Sequence, residues 1–133
     1  MTRFSAFSLR LPGSVPTILL GLLLAVGLAA PSFAAEMNFY MKNQQDRGVA
    51  VELFSQSRSK VWPGGDKVYF LDSREKKSVP VTCEEGERIC YGAWVNGDDT
   101  ISFGVGPDND KPPCEYCCFT CAPKSTQVIS ITK

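Results

Sequence analysis

Residues 79–103 read VPVTCEEGERICYGAWVNGDDTISF, and two turns inside this stretch decide the expected fold. Gly86-Glu87 puts glycine at the first position of a two-residue type II′ loop, and Asn96-Gly97 is the strongest short hairpin signal a chain carries. The first turn sets Cys83 opposite Cys90, Val81 opposite Gly92 and Val79 opposite Trp94. The second sets Trp94 opposite Asp99, Gly92 opposite Ile101 and Cys90 opposite Phe103. Strand side chains alternate between faces, so both turns assign Val79, Val81, Cys83, Cys90, Trp94, Ile101 and Phe103 to one face. The expectation is an antiparallel meander with that set in the core and Tyr91 on the opposite face.

Outward from the meander, short β-rich runs alternate with turn clusters, and no stretch keeps a helical period. Strands are expected at 37–42, 49–56, 67–71, 79–83, 88–95, 101–105 and 127–132. They are separated by the polar turn NQQDRG (43–48), the break WPGG (62–65), a charged turn at 72–77 and the loop PDNDKPP (107–113). About seven strands in a domain this short predict an all-β chain: a small antiparallel β-sandwich or barrel, disulfide-stapled.

The N-terminus predicts export. Arg3 and Arg10 precede an almost wholly apolar run, TILLGLLLAVGLAA (17–30), about fourteen residues long; that suits a signal peptide and is short for a membrane span. Pro31 ends it, and Ser32-Phe33-Ala34 offers small residues where a signal peptidase reads. The domains are therefore expected as a signal peptide, 1–34, and a single disulfide-stabilised β domain, 35–133. Cleavage falls after Ala34 or, as the second choice, after Ala35. The mature form has no membrane span, and its place is the periplasm or the outside of the cell. The full chain carries 14 basic and 14 acidic residues and no histidine. Loss of the two leader arginines leaves the mature domain at −2, with no basic run to bind nucleic acid.

Six cysteines fall in two groups, Cys83 and Cys90, then Cys114, Cys117, Cys118 and Cys121 in the run CEYCCFTC. An even count in a short exported chain reads as three disulfides, with fifteen formal connectivities. Excluding the adjacent Cys117–Cys118 bridge leaves twelve, and the hairpin register favours Cys83–Cys90. That pair would fall at a hydrogen-bonded site with a Cα separation of about 5.5 Å, still within disulfide range. The rival reading of CEYCCFTC is metal or redox chemistry. Neighbouring Cys117 and Cys118 point to opposite faces in extended chain, which makes four-fold convergence on one ion awkward, and no βαβ context supports a thioredoxin-like role. No metal and no cofactor is expected.

Candidate ligand-binding residues are Trp62, a loop aromatic that either plugs the core or meets a partner, and Tyr91, on a face that is either a second sheet contact or a ligand platform. Asp98 and Asp99, with the Asp108-Asn109-Asp110 loop, fit no calcium-loop spacing and read as solvated turns, as does Arg74 beside Lys76-Lys77. Without histidine, a Gly-x-Ser-x-Gly elbow or free thiols, the chain reads as a non-enzyme.

The strings FSQSRSKVWPGG, CEEGERICYGAW and CEYCCFTC together resemble a set of small exported, cysteine-containing bacterial proteins of uncharacterised function, over most of residues 37–132. The resemblance implies export from a bacterium and carries no site. The expected function is an exported β-sandwich that binds an unknown protein or small ligand. The alternatives are a cysteine-based metal or redox protein, and a secreted inhibitor or toxin.

Overall fold

The computed structural model describes residues 29–132 together with Gly13 and Gly27. The expected signal segment lies largely outside the described residues. Chain contacts divide at Ala30/Pro31, and the strands belong to the second unit. They are β1 (Ala34–Asn43), β2 (Val49–Ser55), β3 (Val61–Trp62), β4 (Tyr69–Leu71), β5 (Lys76–Glu84), β6 (Arg88–Val95), β7 (Asp98–Gly104), β8 (Cys118–Thr120) and β9 (Thr126–Ile131). No helix occurs among the described residues.

Two sheets form the sandwich. The first is three-stranded, in the order β5-β1-β9; β1 is antiparallel to β5 and parallel to β9. The second has β2 and β6 at its centre, with β3 and β4 sharing the far side of β2 and β7 and β8 sharing the far side of β6. The sheets do not close into a barrel, and seven expected strands become nine because two- and three-residue edge strands flank the long ones.

The alternation in β1 builds one half of the core, and β2, buried along both faces except at Glu52, builds the other. Met37, Phe39 and Met41 from β1, Val79 and Val81 from β5, and Ile129 and Ile131 from β9 face Val49, Val51 and Leu53 from β2 in one buried cluster. Fully burying each such side chain is worth roughly 2 kcal/mol. Phe39 of the first sheet meets Phe119 of β8 edge-to-face, ring centres 5.6 Å apart, so aromatic contact also ties the sheets together.

The central meander departs from expectation at both turns. Residues 84–87 do not close a hairpin: β5 runs in one sheet and β6 in the other, and the turn is the corner between them. Glu87 N–H closes the turn on Glu84 O, while Gly86 N–H donates to Cys121 O and Cys121 N–H to Glu87 O. The Asn96-Gly97 hairpin does form, with Val95 opposite Asp98, but a bulge follows and Trp94 faces Ser102 rather than Asp99. The shift is three residues, an odd number, so it exchanges the two faces of β7.

β2 then decides which face of β6 looks inward. It pairs Val49 with Val95, Val51 with Ala93 and Leu53 with Tyr91, so the odd-numbered residues of β6 join the core. Trp94 is consequently half-buried on the outer face. Ile101 shares the face of Phe103 but lies on the edge strand β7, where it is 42% exposed. Phe103, now opposite Ala93, packs against the core in part. Val79, Val81, Cys83 and Cys90 are buried as expected.

The outer face of β6 is covered too. The chain after β7 folds back across it, with Val105 N–H donating to Tyr91 O and Lys111 N–H to Val105 O. At Gly92 the backbone of Gly106 comes so close that no side-chain carbon would fit.

Candidate functional site

The cysteines define one end of the sandwich. Cys83 bonds Cys121, joining β5 of the first sheet to the chain just past β8, with Cα atoms 6.2 Å apart. Cys90 bonds its direct cross-strand partner Cys118, Cα atoms 4.0 Å apart. Tyr91 N–H donates to Cys117 O, and Cys121 N–H to Glu87 O. Cys90 and Cys118 therefore occupy a non-hydrogen-bonded pair, where antiparallel strands approach most closely. Cys114 and Cys117 close a tight turn. The favoured Cys83–Cys90 pairing is thus corrected, because the two residues lie on strands of different sheets. All six sulfurs are bonded in pairs, which leaves no thiolate to hold a metal.

Trp62 lies at an end of the core. β3 positions it opposite Leu53, and its indole Nε1–H donates to Thr82 O at 3.0 Å, bridging from the second sheet to β5 of the first. The ring is 6% exposed, and the cations of Arg58 and Lys60 lie over it, 5.9 and 5.8 Å from its centre. Its polar handle is satisfied and its apolar body covered, which is the geometry of a core plug.

Tyr91 also lies in the core, opposite Leu53 and packed under Gly104, whose positive φ of 61° lets the backbone pass over it. Burial pushes its hydroxyl pKa up. The face opposite Trp94 is thus the inter-sheet contact, and a ligand could not reach Tyr91 without opening the sandwich.

On the outer face of the second sheet, Glu52 has its carboxyl pKa raised by burial first, then by the charges of Asp108 and Asp66. Asn109 accepts from Gln56 Nε2 at 3.0 Å. Among the described residues no group of three or more acids and cysteines is arranged to hold a metal ion.

A cleft of about 510 Å³ opens at the NQQDRG turn, lined by Gln44, Gln45, Asp46, Arg47, Arg74, Val95, Ile101 and Thr132. Its floor is held by buried amides. Asn43 Nδ2–H donates to Arg47 O and to Asp72 O, both at 2.8 Å, while Asn43 Oδ1 accepts from Gln45 N–H at 2.9 Å. Gln45 Nε2–H reaches Ile131 O at 3.3 Å, and Gln45 O accepts from Arg74 N–H at 3.2 Å. Such satisfied buried networks fix a loop in one conformation.

Arg74 adopts a positive φ of 60° and donates from Nε to Asp46 Oδ1 at 2.9 Å. Arg47 forms no ion pair among the described residues. The cleft therefore combines two guanidinium groups and a carboxylate with apolar surface from Val95 and Ile101. Sequence reasoning missed it: NQQDRG reads as a polar turn, and nothing local shows that Asn43 and Gln45 are buried. No protein-family model matches the chain, and no curated protein sequence matches it.

Proposed function

We propose that the mature domain is an exported, non-enzymatic binding protein. Its ligand is a small molecule or peptide end that carries an anionic group beside a short apolar body, and it seats in the cleft at NQQDRG. The observation that carries this reading is Arg47, without an ion pair among the described residues, beside the Arg74–Asp46 pair and the exposed Ile101, around a floor locked by Asn43 and Gln45. Concave sites that recognise small ligands combine apolar lining with a few fixed polar groups. A guanidinium suits a carboxylate or phosphate through its two-pronged donor geometry.

Export into an oxidising compartment, the periplasm or the extracellular space, is supported by three closed disulfides in a thinly cored domain. Among the described residues no helix is long and apolar enough to cross a membrane. Cleavage after Ala34 or Ala35 would start the mature chain on β1, whose first residue is Ala34.

Saturation-transfer NMR on the oxidised protein tests the reading, with a panel of carboxylate- and phosphate-bearing apolar compounds. Binders should be found, and they should lose their signal in the R47A/R74A double variant while its thermal midpoint stays close to that of the parent. A panel with no binders, or binders indifferent to both arginines, would sink it.

A further inference from the structure

The two open edges of the first sheet are built differently. In β1, Asn38 N–H donates to Ser125 O and Gln44 N–H to Ile131 O, with Asn38 in register with Thr126. The parallel ladder therefore uses the odd-numbered backbone groups of β9. Thr126, Val128 and Ser130 turn their N–H and C=O groups to the open side, because backbone groups alternate along a strand as side chains do.

On the other edge, Asn43 N–H donates to Glu75 O, so the odd-numbered residues of β5 face β1 and the even-numbered ones face outward. That outward set includes Pro80, which has no N–H, and Thr82, whose carbonyl is taken by Trp62. Lys76, Lys77 and Glu84 add charge. β5 carries the standard protections against edge pairing, and β9, with sequence TQVISI, carries none: no charge, no proline, no glycine. Val128 on this strand is 49% exposed.

We infer that β9 pairs with β9 of a second copy of this chain, antiparallel across a two-fold axis at Val128. Val128 then faces its own copy, and Thr126 faces Ser130 on the partner strand. These outward-facing pairs make about six backbone hydrogen bonds, two for each narrow pair. The exposed valines cover each other as a β-branched cross-strand pair, and within Thr126–Ile131 no like charges meet. An uncharged edge offers nothing to select an unlike strand and nothing to repel its own copy. The result is a continuous six-stranded sheet, β5-β1-β9 joined to its two-fold mate. Growth stops at two copies, because both outer edges are then β5 with its Pro80. The pairing is isologous and closed, so it leads to a dimer rather than a fibre. It does not depend on the cleft binding a ligand.

Sedimentation velocity on the oxidised protein, over a concentration series into the submillimolar range, provides the test. Wild type should move from monomer to dimer, and V128K and S130P should stay monomeric with unchanged near-UV circular dichroism. S78K, on the β5 edge, should dimerise like wild type. Protection of the Val128 amide against hydrogen exchange should rise with concentration in wild type. If S130P fails to fold, V128K alone carries the comparison. A wild type monomeric throughout, or a dimer that survives V128K, would overturn the inference.

Discussion

The guanidinium of Arg58 holds the carboxylate of Glu87 through two hydrogen bonds, Nε to Oε1 at 2.6 Å and Nη2 to Oε2 at 3.1 Å. The Glu87 side chain is almost wholly buried, and its Oε2 also accepts the backbone N–H of Glu84 at 2.8 Å. One carboxylate thus ties the loop after β2 to the corner where the chain passes from the first sheet to the second.

This pair predicts an acid sensitivity with a definite sign. Burial opposes ionisation of Glu87, but hydrogen bonds from Arg58, Ser55 and the Glu84 N–H together outweigh it and hold its pKa below the ordinary value. A carboxyl with a depressed folded pKa stabilises fully above its unfolded pKa of about 4.3, and that contribution is lost as pH falls through the folded value. Urea midpoints measured from pH 7 down to about 3 should fall below about pH 4.3. E87Q should cost about 1–3 kcal/mol at neutral pH, and its acid slope should be shallower. An unchanged slope in E87Q would show that other carboxylates set the acid limit.

The disulfide pattern predicts one outcome in peptide mapping. Digestion of the unreduced protein with trypsin, which cuts after Arg88, and an enzyme that cuts before aspartate separates the chain segments bearing Cys83, Cys90 and CEYCCFTC. Cys83–Cys121 and Cys90–Cys118 should leave the three peptides joined as one species. A Cys83–Cys90 bridge would release the CEYCCFTC peptide. The long bridges close sequence separations of 38 and 28 residues, which on the loop-entropy model contribute about 4 kcal/mol each. The C114S/C117S pair, closing a separation of 3, should cost about half as much or less.

Gly92 predicts a steric penalty. Its missing side chain admits the carbonyl of Gly106 and the ring of Phe54. G92A should lower stability by about 1–3 kcal/mol, the usual cost of overpacking a filled site. The urea midpoint should fall without a change in slope. A neutral G92A would mean that the segment around Val105–Lys111 lifts away from β6 at little cost.

Strands with one buried face were legible from the chain alone. β1 alternates cleanly, with Met37, Phe39 and Met41 inward, and the expected 88–95 strand agrees with β6 to the residue. β2 turns Val49, Val51 and Leu53 inward but is buried on its other face as well, except at Glu52. β6 itself is buried on both sides, by the first sheet on one and by the chain after β7 on the other. Its run RICYGAWV therefore carries no alternation from which to choose a face. Val61–Trp62 and Cys118–Thr120 were unreadable as strands because two or three residues hold no period. The candidate cleft was invisible for a related reason: Asn43, Gln45 and Arg74 meet only after β1, β4 and β9 are in place.

The amino-acid sequence by itself determined the all-β class, the strand-rich spacing and the presence of enough cysteines for three staples. Those follow from local periods, turn chemistry and count. Only the tertiary structure decided which cysteines meet, which face of β6 turns inward and that Tyr91 and Trp62 belong to the core. Each of those depends on which sheet β5 and β6 join. A glycine turn permits a hairpin, but Glu87 is drawn to Arg58 and the Gly86 N–H to Cys121, partners far along the chain that local reading cannot weigh.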